Sequence, residues 1–300
     1  MIITTGNFTK ALWPGVNKWY TGAYGEYKTE WDKIFSSNKS RRAWEEDVGM
    51  SGFGLAMQKA EGAPVQYDTE RQGFITRYTH VEYALGFQIT RNMVSDDLYD
   101  IVGPKKSKSL AFSIRQTKEV VGANVINRFA TSGYTGGDGK TLGASDHPNI
   151  AGGTWSNLIG TAADISESAL EQACLDIYGL KNDRGLTVQI RPKAVLIPKD
   201  LDFETNKIMK TEYEVGTNNN TVNLVRSRFP GGVIMNHFLT DTDAWFVLTD
   251  VQDGLKMFER EADRFAMDND FDTDNAKYKA VSRYAFGWTD PRAIYCSAGA

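Results

Sequence analysis

Cysteine is nearly missing from this sequence. There are two in 300 residues, Cys174 and Cys296, with three histidines and eight prolines. Two widely spaced thiols build neither a disulfide framework nor a zinc cluster. Cys174 falls with Leu170, Ala173 and Ile177 on the apolar face of a helix, so it reads as a small buried hydrophobe rather than a nucleophile. A reducing compartment fits that usage. No apolar run approaches the ~20 residues that a membrane span needs. The opening Met1-Ile-Ile-Thr-Thr lacks the basic and long apolar regions of a signal peptide, so export is not expected. Positive charge is also not in excess: 34 Lys and Arg stand against 38 Asp and Glu, a net charge of -4. That excludes wholesale nucleic-acid binding by a basic surface, although a protein that merely encloses nucleic acid needs none.

Site chemistry is equally scarce. The run Gly133 to Thr141 ends in Gly-Lys-Thr, but a phosphate loop needs glycine where Tyr134 stands, and should follow a strand rather than a helix. Gly52 and Gly54 fail as a dinucleotide fingerprint because Met57 occupies the third glycine position. Asp268, Asp270, Asp272 and Asp274 alternate like a calcium loop, but the sixth position is Thr273 and the twelfth is Lys279, so a solvated acidic loop is expected. His80, His147 and His237 have no metal partner at helical spacing, and no nucleophile elbow occurs. The sequence assigns no catalytic residue, no cofactor and no metal site.

What remains is a foldable chain: 41% hydrophobic and 24% charged, long enough for one large or two ordinary domains. Four of its seven tryptophans, Trp13, Trp19, Trp31 and Trp44, lie near the start. Tyr20, Tyr24, Tyr27, Trp31 and Phe35 predict an aromatic helix over 16–36, packed either on its own core or on a neighbour. From Phe74 to Arg91 polar and apolar residues alternate, which predicts a strand. Some 17 residues would reach roughly 55 Å, against about 40 Å across for a domain of this size. Val65, Tyr67 and Thr69 alternate ahead of it, with Glu70 to Gly73 as the turn. The reading is a hairpin projecting from the body, with strand edges that need a cover. The alternative is a long bent strand within one sheet.

Ser95-Asp96-Asp97 should cap a short helix with Leu98, Ile101 and Val102, broken at Gly103-Pro104. A longer helix then carries Leu110, Ile114, Val121, Val125 and Phe129 inward. Lys105, Lys106, Lys108, Arg115 and Lys118 are read as its solvated face. Glycine-rich loop fills 131–160. Asp164 with Glu167 resembles a capping box before a helix to Leu180. Strands are expected at 187–191, 194–197, 233–236 and 244–248, a helix over 200–210, a loop at 217–221, and strand-like pieces from Tyr278 to Tyr295. The class is α+β.

Gly73-Phe-Ile-Thr-Arg-Tyr-Thr-His-Val-Glu-Tyr-Ala-Leu-Gly-Phe-Gln-Ile-Thr-Arg91, with Met93-Val-Ser-Asp-Asp-Leu-Tyr99, resembles the extended loop and spine-helix entry of tailed-phage major capsid proteins. Asp146-His-Pro-Asn149 and Gly152-Gly-Thr-Trp-Ser-Asn157 are similar to a segment of the Mu-like major head subunit group. Asp183-Arg-Gly185, Arg191-Pro192, Leu196-Ile-Pro198 and Thr240-Asp-Thr-Asp-Ala-Trp-Phe246 extend the similarity over about 65–250. The resemblance implies a Hong Kong 97-like fold: an N-terminal arm over 1–55, an extended loop over 56–92, a peripheral domain with the spine helix over 93–135 that returns at 276–300, and an axial domain over 136–275. It implies hexamers and pentamers closing into an icosahedral shell around double-stranded DNA, assembled in the bacterial cytoplasm, with scaffold, decoration and portal proteins as further partners. No charged scaffolding segment precedes the arm, so a separate scaffold or a processed chain is expected. Two other functions remain open at this stage: an encapsulin-like cargo shell and a soluble α+β enzyme.

Overall fold

The alternating run at Phe74 divides at His80. In the computed structural model, which describes residues 9–26, 28–90, 92–93, 96, 99–213, 222–269 and 275–300, the elements in chain order are α1 (Thr9–Glu26), β1 (Ser36–Lys39), β2 (Trp44–Met50), β3 (Gln72–Thr79), β4 (Val81–Ile89), α2 (Tyr99–Asn127), β5 (His147–Pro148), β6 (Thr154–Trp155), α3 (Glu167–Tyr178), β7 (Pro192–Pro198), α4 (Asp202–Lys210), β8 (Val233–Asn236), β9 (Trp245–Thr249), β10 (Leu255–Asn269), β11 (Ala276–Trp288) and β12 (Ile294–Ser297).

The two halves of the run serve different sheets. β3 pairs antiparallel with β2, from Trp44 opposite Thr79 to Met50 opposite Gln72. β4 pairs antiparallel with β11 in a sheet ordered β1-β10-β11-β4. The expected partner of β3, Val65 to Thr69, is not in a ladder. Its limb is tied to the other by side chains instead: Asp68 Oδ2 accepts from Gly54 N at 2.8 Å and Glu70 Oε1 from Gly52 N at 3.2 Å. Glycines and Pro64 deplete this stretch of ladder-forming backbone. The hairpin is therefore longer than expected and begins at Trp44.

Other expectations also shift. α1 spans Thr9–Glu26 rather than 16–36, and beyond it Glu119 of α2 takes the backbone N–H groups of Glu30 and Trp31 at 3.1 and 3.0 Å and turns the chain there. The aromatic stripe packs on its own body in two groups: Tyr20 stacks on Phe265, while Trp31 and Phe35 meet Phe286 edge-on. α2 runs through Pro104 without a break. Pro104 is the sixth residue of the helix, so it forgoes the bond to the Asp100 carbonyl, and the helix nevertheless continues past it. The cap at Ser95 and Asp97 and the loop at 217–221 fall outside the described residues. Lys105, Lys106 and Lys108 are exposed. Lys118 is not: it is buried over the Trp31 and Tyr284 rings, 3.7 Å from Glu259 and 4.0 Å from Asp263. Ser166, not Asp164, caps α3, accepting from Ala169 N at 3.2 Å. Instead of a strand at 187–191 there is only a Lys181–Thr187 bridge, and β7 starts at Pro192.

A second sheet, ordered β12-β9-β7-β8, forms the centre. Val195, Ile197, Trp245, Val247 and Tyr295 point to one face, where α3 and α4 bring Leu170, Ala173, Ile177 and Ile208. Leu196, Phe246, Leu248, Ile294 and Cys296 point to the other, against Ile126 and Phe129 at the end of α2 and Met257 and Tyr284 of the first sheet. Burial on both faces explains why β7 and β9 read as unbroken apolar runs. Burial also pushes the Cys174 thiol up to about 11, in keeping with its packing role.

Candidate assembly surfaces

The β2–β3 ribbon leads into the segment between Ser51 and Arg71, which Arg184 ties to the rest of the chain through Asp68 and the Thr69 carbonyl. Apolar side chains crowd that segment: Phe53, Leu55, Met57, Val65 and Tyr67 are all exposed, Tyr67 at 96%. Single exposed hydrophobes are ordinary, but a contiguous set on one projecting segment marks a surface meant to be covered.

The root of the ribbon is held by charge. Asp47 Oδ2 accepts from Lys256 Nζ at 2.7 Å and from Thr289 Oγ1 at 2.7 Å. Lys256 also pairs with Asp253 at 2.8 Å, and Tyr78 OH meets Thr289 Oγ1 at 2.6 Å. Burial opposes the Lys256 charge, but the hydrogen bonds it donates to Asp253 and Asp47 outweigh it, and its pKa lies above the usual lysine value. Tyr78 packs with Phe258 and Ala285 beneath. At the bend, buried His80 sets Nε2 against Ser40 Oγ at 3.0 Å, and Ser40 donates to Glu45 at 2.7 Å. Burial, then Arg283, hold its pKa below the usual histidine value. A cleft of about 420 Å³ lies between the root and the body, lined by Asp47, Met50, Phe74, Trp155 and Arg292 among others.

The motifs around His147 gather into one bracket. β5 and β6 pair, and the His147 ring stacks on Trp155 at 4.7 Å while the Arg292 guanidinium lies 4.5 Å from that ring's centre. His147 Nδ1 contacts Asp138 Oδ2 at 2.7 Å. Asn157 Nδ2 donates to the carbonyls of Leu142, Pro291 and Ile294, which ties the glycine-rich loop to β12. Arg292 reaches Asp183 of the Asp-Arg-Gly motif at 3.3 Å. Asn157 thus joins separate stretches of backbone, and among the described residues the His147 ring meets Asp138, Asn157 and Trp155. The phosphate-loop look-alike is closed by Gly136 N donating to Lys140 O, and Lys140 is bound to Asp146. His237 pairs with Glu30, remote in sequence from the other histidines. Among the described residues no group of His, Cys, Asp and Glu could hold a metal ion, and no helix is long and apolar enough to cross a membrane. The acidic run after Asp268 lies mostly outside the described residues.

Three solved structures share this architecture. A virus-like particle from Pyrococcus furiosus matches with a TM-score of 0.56 at 10% identity, covering 95% of this chain and 98% of that one. The procapsid of bacteriophage JBD30 matches at 0.54 and 16% identity, over 98% and 76%. Microbacterium phage Oxtober96 matches at 0.54 and 11%, over 91% and 92%. No curated protein matches the sequence. The fold is thus the Hong Kong 97-like capsid fold. The profile described as phage capsid protein matches residues 74–297, and the chain belongs to that family. The description is coarser than the Mu-like group that the His147 motifs resemble.

Proposed function

We propose that this chain is a structural subunit without catalytic activity, which closes with copies of itself, as hexamers and pentamers, into the shell of a tailed phage around double-stranded DNA. The observation that carries this reading is the ribbon with its uncovered apolar tip. Each such side chain gains about 1.5–3 kcal/mol when fully covered, and many modest contacts add up in a closed shell. Assembly in the host cytoplasm, with scaffold, decoration and portal proteins as partners, belongs to the same proposal.

In this reading the arm covers about 1–55, the extended loop about 56–92, the peripheral domain about 93–135 and 276–300, and the axial domain about 136–275. The β2–β3 pairing supports drawing the extended loop from Trp44 to Thr79 instead.

Replacing residues 53–69 by a Gly-Gly turn tests the proposal. The subunit should keep its circular dichroism and melting behaviour and form no closed shells in electron micrographs. Normal particles from the shortened chain would overturn it. Particle contents then separate a DNA-filled phage head from a cargo-holding shell.

A further inference from the structure

β3 and β4 meet at a residue that belongs to neither ladder. Thr79 closes the β2–β3 ladder opposite Trp44, and Val81 opens the β4–β11 ladder opposite Tyr284. His80 stands between them, with its side chain buried. Its ring ties the bend to the body. Ser40, which meets Nε2, is buried too, and the Ser40 N–H donates to the Glu259 carbonyl of β10 at 2.9 Å.

The surrounding hydrogen bonds fix the tautomer. Ser40 Oγ gives its one proton to Glu45 Oε1 at 2.7 Å and accepts from Arg42 N at 3.2 Å. It therefore meets Nε2 as an acceptor, at 3.0 Å, and Nε2 carries the ring's proton. Nδ1 is bare. It is buried, with no hydrogen-bond partner among the described residues. A second proton would sit on Nδ1 without an acceptor, and an unpaired buried charge is costly. Neighbouring charges act on the ring from three strands. Burial first, and then Arg283 of β11, hold the folded pKa below the usual histidine value; Glu45 of β2 opposes them and Arg260 of β10 adds to them. Glu82, two residues along, stands opposite Arg283 in the ladder.

We propose that His80 is an acid-sensitive latch at the root of the ribbon. Uptake of one proton drives the ring from its buried seat, the tie to Ser40 goes with it, and the first pairs of the β2–β3 ladder loosen. The latch is fully closed above about pH 6.5, and its stabilisation is lost as the pH falls from there through the folded pKa. It lies within one subunit, so it stands whether or not the shell reading holds.

Hydrogen exchange of the full chain, corrected for the intrinsic rate at each pH, reads the latch. Residues 44–46 and 77–79 should open faster below about pH 6.5, by up to about tenfold per pH unit, the most that one proton gives. A flat profile there overturns the latch, and so does equal acceleration in α3, which is global unfolding. His80→Gln keeps an N–H for Ser40 and cannot titrate, so its ribbon should hold one corrected rate from about pH 7.5 to about 5. His147 and His237 remain in that variant, and a pH dependence that survives in it overturns the proposal. Glu45→Gln removes a carboxylate that favours the charged ring and should move the onset to lower pH. Arg283→Gln should move it higher. Onsets that stay put, or move together, overturn the latch, and this pair decides the matter if His80→Gln does not fold.

Discussion

Truncating Asp47 should loosen the ribbon at its root. Asp47→Ala removes the acceptor shared by Lys256 and Thr289, both at 2.7 Å. A hydrogen bond to a charged group contributes about 1.5–3 kcal/mol and a neutral one about 1 kcal/mol. Asp253 still holds Lys256 at 2.8 Å, and Tyr78 still meets Thr289, so the loss falls below the full sum, at about 2–3 kcal/mol. For a domain somewhat smaller than this chain that is about 4–12 °C in melting temperature. Asp47→Asn keeps an acceptor for Thr289 and should lose roughly half as much. The assay is a thermal melt with hydrogen exchange resolved by segment: residues 45–49 and 74–78 should exchange faster, and α3 should not. If Asp47→Ala melts within about 1 °C of the parent and its ribbon exchange is unchanged, the carboxylate does not anchor the hairpin.

Two further outcomes follow from the core and from the same ion pair. Ile177 is fully buried between α3 and the central sheet, so Ile177→Ala should cost about 2–5 kcal/mol, seen as a lower urea midpoint at unchanged slope. Lys256 has its folded pKa above the usual 10.5, so its stabilisation is complete below that value and is lost as pH rises through the folded one. Melts taken from about pH 9 to 12 should decline more steeply in the parent than in Lys256→Met; equal slopes would remove Lys256 from the account.

Much of the fold was legible where one face of an element meets the core. Leu110 and Ile114 on α2 and Leu170, Ala173 and Ile177 on α3 keep a helical period, and each is buried as the spacing requires. Legibility failed where tertiary contacts override local pattern. Nothing local to Trp31 indicates that Glu119 will end the aromatic helix. Lys118 looks like its solvated neighbours, yet packs between two rings and two carboxylates. β10 was missed outright, because irregular pairing between Glu259 and Arg264 breaks its alternation. Of the assembly surface, the alternation at Val65–Thr69 was visible in sequence. Its lack of a strand partner among the described residues was not, since a pattern states which face should be covered and never by whom.

The bend at His80 has a mechanical consequence. β3 and β4 are one continuous extended run, so a pull on the hairpin tip travels along β3 straight into β4. From Val81 to Ile89, β4 is bonded to β11 in antiparallel register. Antiparallel hydrogen bonds lie perpendicular to their strands, so tension along β4 shears the whole ladder at once instead of unzipping it pair by pair. The projecting ribbon is thus rooted as a tendon is in bone, by a long side-on attachment in the body of the sheet.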